Sequence, residues 1–279
     1  MKDEQKKALQ QTANKVRRGA VEAVYAAQSG HPGGSLSIAD VMTYLYFQEL
    51  RIDPENPRWE DRDRLVLSKG HVCPALYAAL ALRGYFPVEE LKTFRRVGSR
   101  LQGHPDLNKC PGVDFTAGSL GQGVSAAVGM ALAGKLAGKN YRVYTILGDG
   151  EIQEGQVWES AMFAAQHKLD NLCYIIDNNG LQIDGDIADV CSPYPIDEKF
   201  AAFGFETINA NGHDFDEIEA AFDKAKKVQG KPVAIIFKTV KGKGISFMEN
   251  QASWHGAAPN AEQYEVAVKD LDKIDAEVR

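Results

Sequence analysis

The sequence predicts an α/β fold, a mostly parallel sheet with helices on both faces, in one domain spanning residues 1–279. Three observations carry this expectation. An apolar run over 141–147 ends in Gly148-Asp149-Gly150, and a second over 171–177 ends in Asn178-Asn179. Between them, residues 156–167 have helical spacing, with Val157, Ala161, Ala164 and Ala165 able to share a face. Beyond them the chain alternates between short apolar runs and amphipathic stretches, the pattern of a parallel sheet covered by helices.

Taken in order, the spacing predicts helices over 5–28 and 38–49, a Pro-rich polar loop over 51–64 and a short strand at 65–67. A helix follows over 74–83, with a short one over 88–94. Residues 98–118 are irregular and long for a connection, a mild sign of function. The alanine-rich stretch 121–137 reads as a buried helix. The strand 141–147, helix 156–168 and strand 172–177 make a unit whose two strands should be parallel neighbours joined by a right-handed crossover. Strands at 205–210 and 232–238 flank a helix at 215–228, and a polar amphipathic helix closes the chain after a Gly- and Lys-containing loop at 239–260.

Composition bounds the function. With 279 residues, 44% of them apolar, the chain can bury a sizeable core. A net charge of −6 gives no support for general binding to nucleic acid or an anionic membrane, although local donors can still hold phosphate. Cys73, Cys110, Cys173 and Cys191 are far apart and form no CxxC pair, so they read as reduced thiols of a cytoplasmic protein. The start, Met1-Lys2-Asp3-Glu4-Gln5-Lys6-Lys7, lacks the apolar core of a signal peptide, and no apolar run approaches the roughly 20 residues of a membrane span.

Parallel strands end on one edge of the sheet, where open α/β folds bind ligands. Asp149 and Asn179 are thus aimed into one crevice, and two hard oxygen donors there suit a small divalent cation such as magnesium, with calcium or manganese as substitutes. Four of the six histidines sit in compact loops: Gly30-His31-Pro32-Gly33-Gly34, Ser68-Lys69-Gly70-His71, Gly103-His104-Pro105 and Trp254-His255-Gly256. Any one alone reads as a turn residue; four together suggest proton handling on hydroxylated or phosphorylated ligands. A zinc site built from three of them lacks HxxxH or HExxH spacing. His167 reads as a helix-end cation, and His213 as part of the turn before a helix capped by Asp214 and Glu217. Gly121-Gln122-Gly123-Val124-Ser125-Ala126 matches a dinucleotide fingerprint only superficially, because no strand precedes it.

These motifs together carry a family resemblance. Gly148-Asp149-Gly150-Glu151 followed by Asn178-Asn179 resembles the thiamine diphosphate signature. The histidine loops, Gly118-Ser119-Leu120-Gly121-Gln122-Gly123, Ile152-Gln153-Glu154-Gly155 and Lys241-Gly242-Lys243-Gly244 are similar to those of transketolases, in order along the chain. The resemblance implies a diphosphate-binding (PP-type) domain with thiamine diphosphate and a divalent metal. Asp149, the Asn179 amide and the Leu181 carbonyl would hold the ion. Gly150 and Glu151 would lie against the diphosphate, His71 and His255 would contact the cofactor, and Gly118, Ser119 and Leu120 would support its pyrimidine side. Many relatives have proline where this chain has Ser119. By the same resemblance His31 and His255 would handle protons on the sugar, and His104 would hold the donor's terminal hydroxyl. Glu154 has two readings: an acidic link between neighbouring active sites, or a helix N-terminal carboxylate.

In this family the glutamate that activates the cofactor lies on a second domain, which this sequence does not contain. The expectation is therefore the N-terminal subunit of a split transketolase, inactive alone, with a truncated piece of a single-chain enzyme as the other reading of the chain's end. A C-terminal partner would carry the activating glutamate, with two of each chain in the assembly. The expected reaction moves a two-carbon ketol unit from a ketose phosphate of the xylulose 5-phosphate type to an aldose phosphate of the ribose 5-phosphate type, as in the pentose phosphate pathway. The alternatives are another thiamine diphosphate enzyme, a transketolase for a specialised sugar, and a non-catalytic cofactor-binding scaffold.

Overall fold

The computed structural model of the protein describes residues 1–278. Its strands are β1 (Arg64–Leu67), β2 (Val143–Gly148), β3 (Leu172–Asn178), β4 (Leu181–Gln182), β5 (Gly185–Asp186), β6 (Glu206–Asn211) and β7 (Val233–Lys238). Five of them form one parallel sheet in the order β1-β2-β3-β7-β6, while β4 and β5 pair as a separate antiparallel hairpin.

The strand sequences explain why both faces are covered. Along β2, Tyr144 and Ile146 enter one core and Val143 and Leu147 the other; β3 divides in the same way, with Cys173 and Ile175 against Leu172, Tyr174 and Ile176. The first core is closed by α1 (Asp3–Ala27), α3 (Ala39–Tyr44), α4 (Cys73–Arg83) and α9 (Phe215–Lys227), and α2 (Pro32–Ser37) sits at its edge. The second is closed by α5 (Gln122–Leu136), α6 (Gly155–Gln166) and α8 (Ile196–Ala202), with α7 (Ile187–Cys191) beside the hairpin. Each fully buried Ile or Leu in these cores stabilises the fold by about 1.5–3 kcal/mol relative to exposure. A third, smaller cluster joins α10 (Ala261–Val278) to α1 and to Ile245 and Met248, which pins the loop after β7.

The expected parallel α/β sheet is present, with these differences. The helix expected over 38–49 is present but changes pitch, α-helical in α3 and a π-turn over Leu45–Glu49; α2, not expected, precedes it from Pro32, where a ring with fixed φ suits the first helical turn. The sequence order of the last two strands is inverted in space, because β7 inserts between β3 and β6. Helix α5 is buried on one face only, and Leu136 is 80% exposed. The long connection before α5 is irregular, as expected. All four cysteines are free, three of them buried. Among the described residues no helix is long and apolar enough to cross a membrane.

Candidate active site

Strand register sets the site. Gly148 pairs with Asp177 and Asn178 with Lys238, so β2, β3 and β7 stop in step at their carboxyl ends. The residues that follow, Asp149, Asn179 and Lys241, emerge together into a cavity of about 350 Å³. Its size falls in the usual range of small-ligand sites, about 300–1,000 Å³.

Asp177 is fully buried beneath this cavity and ion-paired to the equally buried Lys69. Ser37, Thr239 and the Asn179 amide also donate to it. Burial alone would push its pKa up, but the Lys69 charge and these donors hold it below the usual carboxylate range. Asp149 is 2% exposed and takes hydrogen bonds from the Gly150 and Gly180 N–H groups at 2.9 and 2.6 Å. Burial, and then the negative charge of Asp177, push its pKa up to about 6 against those two bonds. Asn179 Oδ1 accepts from the Leu181 N–H at 3.1 Å, and the Leu181 carbonyl accepts from Lys241 Nζ at 3.0 Å.

This donor set fits the implied group. Asp149, Asn179 and Leu181 line one cavity and offer only hard oxygens, and the raised pKa of Asp149 marks a carboxylate short of positive charge. Among the described residues no cluster of three His, Cys, Asp or Glu side chains is placed to hold a metal. Gly150 has an ordinary negative φ; an added Cβ there would lie 3.3 Å from the Gln182 side chain, so close packing and not backbone angle is what glycine serves.

Three of the loop histidines meet at the other wall. His31 and His71 lie 5.2 Å apart between ring centroids, His31 and His255 5.5 Å, and His71 and His255 5.1 Å. His31 precedes Pro32 at the start of α2, His71 sits in the turn after β1, and His255 follows the turn Ala252–Trp254. The loop carrying Lys241 depends on Gly242, whose φ of 78° and approach to the Met248 carbonyl exclude any side chain. Burial lowers all three rings: His31 to about 4, with Arg95, His104 and Lys241 adding to the effect; His255 to about 3, with Lys241 adding most; His71 well below its ordinary value. All three are neutral imidazoles at physiological pH.

The cavity brings together His31, His71, His255, Leu120, Asp149, Gly150, Glu151, Glu154, Asn179 and Leu181. It does not include His104, Gly118 or Ser119: His104 sits beside Gly118, and Gly118 and Ser119 are exposed. The Glu151 carboxylate is committed to Ser68 Oγ and the Gly121 and Gly148 N–H groups, so it fixes two backbones rather than facing a ligand. Glu154 is exposed, and its side chain makes no capping bond to α6. The α9 cap is made by Asp214, which accepts from the Asp216 N–H, while Glu217 accepts from the Asn211 N–H of the preceding turn; His213, in that turn, bridges Asp40 and the Val240 N–H. Sequence reasoning missed Lys69, Asp177, Lys241 and Arg95. Lys69 and Lys241 stand inside motifs that were read for their histidine and glycines, and Asp177 is a charge ending an apolar run.

Comparison with known proteins identifies the family of the chain. Residues 8–272 match the family described as transketolase, thiamine diphosphate binding domain. The chain is 49% identical over 270 residues to the 6-deoxy-6-sulfo-D-fructose transketolase subunit SqwG of Clostridium sp. (strain MSTE9), covering 97% of this chain and 98% of that protein. It is 42% identical over 265 residues to an apulose-4-phosphate transketolase subunit of Phocaeicola vulgatus, covering 95% and 94%. A crystal structure of transketolase from Pichia stipitis, in complex with sedoheptulose 7-phosphate, superposes with a TM-score of 0.89 at 32% identity. That match covers 98% of this chain but 44% of the other, so the chain spans less than half of that transketolase.

Proposed function

The chain belongs to the transketolase family, and on that footing we propose that it is the diphosphate-binding subunit of a two-chain transketolase, active only with a partner subunit that carries the activating glutamate. The observation that carries the reading is the joining of the His31, His71 and His255 wall to the Asp149, Asn179 and Leu181 edge in one cavity. Two relatives that match along their whole length are themselves named as subunits, which supports a partner; we infer two copies of each chain, as symmetric assembly favours.

In this reading residues 1–279 form a single domain. Asp149, the Asn179 amide oxygen and the Leu181 carbonyl would hold magnesium, which would neutralise the charge of the thiamine diphosphate. When bound, that cofactor supplies the carbon nucleophile that cleaves the bond beside a ketose carbonyl. The chain's own residues bind and orient. Gly150 leaves the start of the Glu151–Gln153 turn open to the diphosphate, Glu151 fixes the Gly121 and Gly148 backbones beside it, and His71 and His255 contact the cofactor. Gly118, Ser119 and Leu120 support the pyrimidine side, and of these Leu120 reaches the cavity. His31 and His255 engage the sugar oxygens, His104 the donor's terminal hydroxyl from its place beside Gly118, and Glu154 reaches toward the neighbouring subunit. The free thiols suit a reducing cytoplasm.

The proposed reaction is transfer of a two-carbon ketol unit between a ketose phosphate and an aldose phosphate of the pentose phosphate type. A second reading, a sulfonated or branched sugar, is favoured by the relatives named for 6-deoxy-6-sulfo-D-fructose and apulose 4-phosphate. Mixing the purified chain with its partner subunit, thiamine diphosphate and magnesium, and assaying both sugar classes, tests the proposal. Ketol transfer on mixing and none by the chain alone is expected; full turnover by the chain alone would refute it. Unchanged turnover in His255→Ala would favour the scaffold reading.

A further inference from the structure

His31 and His255 each meet a cationic side chain at the same ring nitrogen. Lys241 Nζ lies 2.9 Å from His255 Nδ1 while it also donates to the Leu181 carbonyl. Arg95 Nη2 lies 3.5 Å from His31 Nδ1, and Arg95 Nη1 is anchored on Ser29 Oγ at 2.5 Å. An ammonium or guanidinium group has donors only. A ring nitrogen that faces one at hydrogen-bonding distance must offer a lone pair, which leaves the proton of a neutral imidazole on Nε2. Among the described residues, neither Nε2 makes a hydrogen bond within the protein, and both rings line the cavity.

We propose that Arg95 and Lys241 are positioning residues that lock His31 and His255 as Nε2–H tautomers, so that both rings meet the sugar as neutral hydrogen-bond donors and not as proton acceptors. The identity of that ligand rests on the transketolase reading; the tautomers rest on the chain alone.

Three further observations bear on it. The low pKa values of both rings keep them neutral, so a tautomer and not an imidazolium is the species in question. Arg95 adopts a φ of 59°, a left-handed conformation unfavourable for a non-glycine residue, at the very position whose guanidinium reaches His31. His213 supplies a contrast inside the same molecule. Its Nδ1 faces the acceptor Asp40 Oδ2 at 2.7 Å and its Nε2 accepts from the Val240 N–H at 2.9 Å, which fixes the opposite tautomer.

The chemical consequence is definite. An Nε2 that already carries a proton cannot take one from a sugar hydroxyl. In this tautomer the two rings hold and polarise sugar oxygens, as a neutral imidazole electrophile does. This narrows the proton-handling role expected for both residues.

Nitrogen-15 NMR of the full chain labelled at histidine tests this directly, because long-range couplings distinguish protonated from bare ring nitrogens. His→Gln variants assign each ring. Near neutral pH we expect single Nε2–H patterns for His31 and His255 and an Nδ1–H pattern for His213. Lys241→Met should turn the His255 pattern into a tautomeric average and leave His31 unchanged, and Arg95→Met should do the converse. An Nδ1–H or imidazolium pattern at either ring in the wild type overturns the proposal, as does an unchanged His255 pattern in Lys241→Met. If a variant does not fold, the wild-type spectrum decides alone. Failure of the transketolase reading would appear elsewhere, as absent ketol transfer in the reconstituted mixture, with the tautomers unaffected.

Discussion

Lys69 is the counter-ion of Asp177 at the end of the central strand, and neither side chain is more than 2% exposed. Such a pair contributes little net stability over an apolar pair, yet losing one member strands a charge in the core. Lys69→Met should therefore cost about 3–5 kcal/mol, read as a lower urea midpoint. The double variant Lys69→Met/Asp177→Leu should recover part of the loss. A Lys69→Met chain as stable as wild type would mean that hydroxyl and amide donors alone satisfy Asp177.

Asp149 is the donor whose loss should separate cofactor binding from folding. Loss of a group that merely orients a metal ligand costs about 10–100-fold in affinity, so Asp149→Ala should weaken magnesium-dependent thiamine diphosphate binding by at least ~100-fold. Calorimetric titration of the reconstituted assembly reads this, and chelation of the metal should weaken the wild type likewise. Equal affinity in the variant and the wild type would remove Asp149 from the metal site.

Acid should destabilise the chain in the absence of cofactor. The folded values of His31 and His255, about 4 and about 3, lie below the value of about 6.5 for the unfolded chain. Between them the unfolded state binds more protons, so stability rises with pH. This contribution is complete above about 6.5, declines below it, and is gone once the pH has fallen through the folded values. Asp149, raised to about 6, acts in the opposite sense: its contribution is present below the unfolded carboxylate value and is lost as pH rises through about 6. With His71 shifted the same way as its two neighbours, the histidines prevail, and the melting temperature should fall from neutral pH toward about 5. His255→Gln should flatten this acid limb; an identical limb in the variant would exclude that ring as a cause.

Glu154 offers a clean choice between its two readings. Exposed and without a capping bond, it should tolerate Glu154→Ala within about 0.5 kcal/mol in the isolated chain, while association with the partner subunit weakens. Urea denaturation and sedimentation velocity read the two effects. A destabilised isolated chain with unchanged assembly would return Glu154 to the role of a helix-end carboxylate.

How much of this was legible depends on the kind of signal each residue leaves. The unit from β2 through α6 to β3 was visible because both strands are unbroken apolar runs closed by Gly or Asn, as strands buried on two faces must be. The three histidines of the cavity stood out through their Gly and Pro neighbours. Lys69 and Asp177 did not, since a buried ion pair has no period, and its partners lie 108 residues apart. Lys241 was hidden for the same reason: its neighbours, Leu181 on β4 and His255 later in its own loop, leave no spacing pattern. The place of β7 between β3 and β6 follows from packing across the sheet, which strand patterning does not encode. His104 looked equivalent to the other loop histidines, but the turns that precede it carry it to Gly118, outside the cavity.

The common stopping point of β2, β3 and β7 also limits how such a chain can change. Because alternate residues of β3 feed opposite cores, inserting one residue between 172 and 178 would send Ile175 and Ile176 to exchanged sides and shift Asn179 out of line with Asp149. Length variation is therefore forbidden inside these strands and permitted in the loop between α9 and β7, away from the cavity. Insertion scanning should return folded, cofactor-competent proteins only from such segments.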